Sequence, residues 1–341
     1  MQIHWLDALF GQIVLSRSPR YFSDGWGPLS ERDALLEPQR TPAVLHDLVI
    51  GRAVREGQLL VQEGRFKSPA ASELMPSVCH AARFQLVLPA GAGARPPVCL
   101  LLAASGDEGF GRRRSLADGL ALHGIGALLL ENPYYGARRP PGQRSVAVRT
   151  VIDLLLMFRA AAVESLALLQ WLRARGHDCL GISGFSMGGS LAAYTAALHP
   201  EPLAVIPVAA AHAIAPIFEE GVLSDMADWR ALGSEGGASP AIRRQLCDVL
   251  APASITALPP PPALHGAILL AAQEDGFVPP NSTQRLAEHW HGAEVRHLPG
   301  GHVSVALTQR NAIIRAVCDA FTRLAPVRPS KASPRDPGFR P

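Results

Sequence analysis

Between Cys179 and Tyr194 the chain reads CLGISGFSMGGSLAAY, and no other stretch narrows its fold so far. A short apolar run enters Gly184-Phe185-Ser186-Met187-Gly188, and a run of small residues follows. The pattern predicts a buried strand, a sharp turn and a helix, with Ser186 at the turn. A serine forced into a strained backbone conformation there projects its hydroxyl from the top of a sheet. The flanking glycines let strand and helix approach closely. At the start of the new helix, the Met187 N–H is placed to bind an oxyanion. This context makes Ser186 the candidate nucleophile; without it, the same glycines would mark a tightly packed β–α turn and nothing more.

A serine hydroxyl is a poor nucleophile near neutral pH, so it needs a base, and the base needs an orienting partner. Residues 267–272, AILLAA, have the pattern of a buried strand and lead into QEDGFVP. Asp275 therefore falls at the carboxyl end of a strand, where catalytic residues of open parallel sheets collect. A helix is expected over 281–290 and a strand over 294–298, ending in Pro299-Gly300-Gly301-His302. Those turn residues place His302 on a loop just past the strand. Ser, then Asp, then His is the chain order of the α/β-hydrolases. That fold also takes a second oxyanion donor from the loop after its third strand. Residues 97–104, PVCLLLAA, enter Ser105-Gly106-Asp107, which makes the Asp107 N–H the candidate.

Alternating apolar runs and helical stretches predict a mostly parallel, doubly wound sheet with helices on both faces. Residues 1–78 are expected as an N-terminal extension, a helix plus irregular Gly/Pro-rich chain packed on the core. The hydrolase domain is expected over 79–325, with a long buried helix over 146–175. The pattern lapses from 212 to 264, between the strands near Val205 and Ile268. There a lid is expected, with an apolar face of Ile214, Ile217, Phe218, Val222, Leu223 and Trp229. The Pro-rich tail, 326–341, is expected to be disordered. Arg112, Arg113, Arg114, Arg138 and Arg139, with Arg144 and Arg149, fall on loops at the sheet edge that carries Ser186. They are candidates for a cationic rim that steers an anionic substrate, against the reading of solvated loop charge.

A net charge of +3 is too mild to argue for nucleic acid. Five cysteines (Cys79, Cys99, Cys179, Cys247, Cys318) show neither CxxC nor zinc spacing. They read as free thiols in a reducing compartment, so the protein is expected in the cytoplasm without metal or cofactor. The stretch MQIHWLDALFGQIVLSRSPR lacks a basic start, and His4 and Asp7 interrupt its apolar run, against a signal peptide. Trp5, Leu6, Leu9, Phe10, Ile13 and Val14 still form a stripe at helical spacing. The helix either packs on its own domain or makes peripheral membrane contact, with Arg17 and Arg20 at its end. No transmembrane span is expected, because Asp153, Arg159 and Glu164 interrupt the longest apolar window. Nothing implies an obligate protein partner.

The segments FSDGWGPLS (22–30), GRFKSPAASELMP (64–76), ARFQLVLP (82–89), SGDEGFGRRR (105–114), LLLENPYYGARRP (128–140), GFSMGG and PGGHVS (299–304) together resemble the α/β-hydrolase domain-containing protein 18 family. The resemblance runs from about residue 5 to residue 321. It implies a serine-hydrolase fold with Ser186, Asp275 and His302 at the triad positions, and lipid acyl-ester cleavage as the leading activity. The shorter, Pro-rich lid region departs from the longer members. The expected protein is a serine hydrolase of carboxylic esters, lipid or other acyl esters, working through an acyl-enzyme on Ser186. An acyltransferase using the same triad, or a catalytically silent lipid-binding scaffold, are the alternatives.

Overall fold

The computed structural model describes residues 3–17, 19–40, 44–91, 93, 95–219, 222–233 and 239–324. The expected tail at 326–341, and the side chains of Val14, Arg17 and Val222, lie outside the described residues. Helices α1 (Trp5–Arg17) and α2 (Arg32–Leu36) precede strands β1 (His46–Ile50), β2 (Val54–Glu56), β3 (Leu59–Lys67) and β4 (Ala81–Pro89). Then β5 (Val98–Leu102), α3 (Gly111–Ala121), β6 (Gly126–Leu130), α4 (Val151–Ala174), β7 (Leu180–Phe185), α5 (Met187–Leu198) and β8 (Ala204–Val208) alternate. Short α6 (Ala215–Glu219) and α7 (Pro240–Leu250) separate β8 from β9 (Ile268–Ala272). The remaining elements are α8 (Pro280–His289), β10 (Glu294–Leu298), α9 (His302–Thr308) and α10 (Arg310–Leu324).

One sheet holds the strands in the order β1-β3-β4-β6-β5-β7-β8-β9-β10, with β2 paired to β3. From β6 to β10 every pairing is parallel, and from β1 to β4, and between β4 and β6, antiparallel. This is the mostly parallel, doubly wound sheet expected. Leu100, Leu128, Ile182, Val205 and Leu269 join the core beneath α4 and α5. Their strand neighbours Cys99, Leu101, Ala127, Leu129, Ile206 and Leu270 join a second core beneath α3 and α10. Side chains alternate across a strand, so covering both faces makes every position apolar. That is why these strands read as continuous hydrophobic runs.

Helix α4 begins at Val151, five residues later than expected, where a capping box fixes its start. The Asp153 N–H donates to Thr150 Oγ1 (3.0 Å), and the Thr150 N–H to the Asp153 carboxylate (3.1 Å). The irregular chain expected before residue 78 is corrected, since β1, β2 and β3 extend the sheet there. The excursion from β8 to β9 is pinned to the N-terminal region: the Tyr21 N–H donates to the Met226 carbonyl and the Asp228 N–H to the Tyr21 carbonyl, both at 2.8 Å. Phe218 packs on Phe22, with ring centroids 5.1 Å apart. Ile214, Phe218 and Trp229 are buried, spending this apolar face on the protein's own core.

Candidate active site

Ser186 stands between β7 and α5 with φ 55° and ψ −121°, a left-handed conformation that a non-glycine residue holds only when its surroundings enforce it. Those surroundings are tight. The Ser186 N–H is anchored on the Val208 carbonyl of β8 (2.8 Å). A Cβ at residue 184 would stand 2.4 Å from the Gly188 backbone, and one at residue 188 would stand 2.5 Å from the Leu102 carbonyl of β5. Neither glycine has a positive φ. The motif therefore spends its glycines on space and leaves the strained backbone to the serine. Ser186 itself is half-buried. It directly follows β7, beside β5, where the sheet order reverses and open α/β sheets bind ligands.

The candidate acid and base come from strands further along the sheet. Asp275 follows β9, and His302 follows β10. His302 Nδ1 lies 2.8 Å from Asp275 Oδ2, and both residues are buried. The other oxygen, Asp275 Oδ1, accepts the N–H groups of Phe277 (2.9 Å) and Val278 (2.8 Å). The carboxylate is thus oriented by its own loop before it orients the imidazole. The ring lies between Phe185, at 4.7 Å between centroids, and Phe277, at 5.1 Å. Phe185 directly precedes Ser186, so the imidazole is packed against the turn that carries Ser186. His302 is not on a loop as expected, because it is the first residue of α9. The turn is closed by Ser304, whose Oγ accepts the Gly301 N–H (2.9 Å) and donates to the Gly301 carbonyl (3.1 Å).

Met187 opens α5, where first-turn amides have no partner within the helix. The second expected donor is corrected. The Asp107 N–H closes a turn onto the Ala104 carbonyl (3.0 Å), and the Asp107 carboxylate is buried against Arg113 (2.7 Å). Hydroxyls line the Met187 side instead: Ser105 Oγ lies 3.7 Å and the Tyr135 hydroxyl 3.9 Å from Met187 Sδ. Burial pushes the Tyr21 phenol up to about 12 and the Tyr135 phenol well above the ordinary tyrosine range, so both stay protonated. Tyr135 sits in the quoted ENPYYG segment, yet its type and place alone assigned it no task.

Five of the seven rim arginines are engaged by acids of the protein itself. Arg113 is buried, bonding to Asp107 and to the carbonyls of Leu101, Leu130 and Gly109. Burial pushes the Asp107 carboxyl up and the Arg113 guanidinium down, and each partly restores the other's charge. Arg138 is 0% exposed, in a bidentate pair with Glu164 (2.6 and 2.8 Å). Arg114 binds Glu56 and Asp118, Arg139 binds Glu108, and Arg149 binds Asp24. Of the seven rim candidates, Arg112 and Arg144 are exposed and show no ion pair among the described residues. A cation leaving water must recover its hydration from fixed acceptors, and these loops supply them.

Helix α1 packs beside the triad. The Asp7 carboxylate is 0% exposed. It accepts the N–H groups of His302 (2.7 Å), Gly276 (2.9 Å) and Val303 (2.8 Å). The sequence offered one signal, a lone acid interrupting an apolar stripe. Trp5, Leu9 and Phe10 remain exposed on the same helix, Trp5 at 66%. Arg20, expected beside that stripe as a cation, donates to the Asp225 carbonyl (3.0 Å). No described helix is long and apolar enough to cross a membrane, and no described group of three or more His, Cys, Asp or Glu residues is placed to hold a metal. A cavity of about 520 Å³ lies between β9, β10 and α8, lined by Gln273, Val278, Gln284 and His297. It meets the triad only at Asp275, so it is not the pocket in front of Ser186.

Solved structures share this architecture at low identity. An acetyl xylan esterase from Paenibacillus sp. R4 superposes with a TM-score of 0.59 at 15% identity, covering 90% of this chain and 98% of its own. Acetyl xylan esterase 1 from Thermoanaerobacterium sp. JW/SL YS485 gives 0.54 at 11%, covering 89% and 98%. A thermostable esterase from Pseudomonas putida ECU1011 gives 0.52 at 14%, covering 95% and 98%. At these identities the likeness is one of fold. The sequence itself matches the model for "alpha/beta hydrolase domain containing 18" over residues 19–240 and 234–323, and the chain belongs to that family.

Proposed function

We propose that the protein is a serine-type hydrolase of carboxylic esters. The observation that carries this reading is the pairing of a strained Ser186 at the start of α5 with a buried Asp275–His302 couple packed against the same turn. Because Nδ1 is held by Asp275, Nε2 of His302 is left to take the Ser186 proton. Ser186 Oγ then attacks the acyl carbonyl carbon, and the oxyanion forms at the Met187 N–H. Collapse of the adduct expels the alcohol, which takes the proton from His302. Water, deprotonated by His302, releases the acid and frees Ser186. The esterase folds among the structural neighbours support the same reaction class.

Lipid or other long acyl esters are the finer reading. It is supported by the exposed Trp5, Leu9 and Phe10 on α1, which would let a substrate at a membrane surface reach the site from that side. The test is fluorophosphonate labelling of the purified protein beside Ser186→Ala and His302→Ala, followed by an ester series of rising chain length with and without vesicles. Labelling of the wild type alone is expected, with rates rising with chain length. Folded wild type that neither labels nor cleaves any ester would sink the hydrolase reading, and a preference for short soluble esters would remove the lipid one.

A further inference from the structure

We infer that Asp7 is a positioning residue for the triad, a clamp that reaches from α1 to hold the base and the acid in mutual register. The inference rests on the ester-hydrolase reading above. Both carboxylate oxygens are used. Oδ2 accepts the N–H of Gly276, the residue after the acid, and the N–H of His302, the base itself. Oδ1 accepts the N–H of Val303. No cation is among these partners, so the fully buried carboxylate is held by backbone amides and sits in the first turn of α1, where the helix dipole favours negative charge.

An apolar side chain would pack α1 here without burying a charge. What the carboxylate adds is the joining of two separate backbone segments, the loop after β9 and the first turn of α9, through one rigid group. The fit on both sides agrees. A Cβ at residue 276 would stand 2.7 Å from Ile3 and 3.1 Å from Asp7 Cβ, and one at residue 301 would stand 2.5 Å from His4 and 2.6 Å from Asp7 Oδ2. Asp275 and His302 thus each have a glycine neighbour where α1 closes in. Two further contacts act in the same direction: the His4 N–H donates to the Glu274 carbonyl (3.2 Å), and Phe10 leans on Phe277 at 6.1 Å, the ring that flanks His302.

Asp7→Ala separates positioning from folding. Fluorophosphonate labelling is followed to completion, and kcat and KM are measured on a short soluble ester, beside wild type and Gln12→Ala, an exposed change on the same helix. Asp7→Ala is expected to label to the wild-type extent but about 10²-fold more slowly, with kcat reduced as much and KM nearly unchanged, the loss that a misplacement of about 1 Å produces. Asp7→Asn, which keeps the volume and one acceptor, should fall between; if Asp7→Ala does not fold, Asp7→Asn carries the test. Gln12→Ala should match wild type. Labelling of the variants at the wild-type rate, whether to full or reduced extent, would overturn the clamp and leave the hydrolase reading standing. A folded wild type that neither labels nor turns over would defeat that reading, and the clamp with it.

Discussion

Two groups of buried polar side chains crowd the same edge of the sheet, and they do opposite things. Around Ser186, His302 and Asp275, hydrogen bonds fix one imidazole nitrogen and the carboxylate while Ser186 is only half-buried. Around Arg113 and Arg138, the hydrogen bonds are consumed: Arg113 meets three carbonyls and Asp107, and Arg138 meets two carbonyls and Glu164. On the proposed reading the first group is arranged to react, and the second holds loops in place. The difference teaches that charge near a site is no measure of its affinity for charged substrates, because buried charge is satisfied from within.

Substitutions can break that contrast. The largest effect is expected from Asp275→Asn, which should lower kcat on an ester by about 10⁴-fold while the protein still melts cooperatively. Retained activity, read by steady-state kinetics, would mean that the couple is structural like its neighbours. Next comes Arg138→Met, which strands Glu164 and should cost about 3–5 kcal/mol of stability in a urea titration. The specific activity of the folded fraction should not change. Adding Glu164→Leu should return most of the loss, since a buried pair is replaced more cheaply than broken.

Arg112→Ala comes third. With Arg112 exposed rather than built into a site, KM for an anionic ester should stay within about twofold of wild type. A large rise would restore a cationic rim of one residue. The smallest effect belongs to Glu294, whose carboxyl is drawn down to about 2 by hydrogen bonds from Arg296 and then Arg323. A depressed carboxyl stabilises the fold above its ordinary pKa and loses that contribution as the pH falls through the lowered value. Because the pair is more than a third exposed, Glu294→Gln should cost at most about 1 kcal/mol at pH 7, and the difference should vanish by about pH 2.

Ser186 and Asp275 were legible as candidates because each follows a strand covered on both faces, which leaves an apolar run that only a turn can end, whereas His302 follows the half-buried, polar β10 and was found from its Pro-Gly-Gly turn. The early strands were not. His46–Ile50 lies largely exposed at the sheet edge, so it leaves no run of apolar residues to find. The arginines misled because sequence shows a charge and not its acceptor, and the acceptor of Arg138 sits on a helix further along the chain. The Asp107 amide was assigned by its place after a strand, whereas the turn it closes depends on backbone geometry that residue types only loosely constrain. Asp7 was visible only as an interruption, since its partners lie 269 to 296 positions away.

That distance has a consequence for how the protein is made. His302 is synthesised 295 residues after the acid that receives its amide. At about 5–20 residues per second, α1 leaves the ribosome roughly 15–60 s before its partners exist. For that interval the Asp7 carboxylate lacks the His302 and Val303 amides that it accepts in the finished fold, and any nascent fragment that stops short of α9 lacks His302 itself. The Asp275–His302 couple and the seat of Asp7 therefore arrive together, late in synthesis, and a chain cut short before α9 has neither.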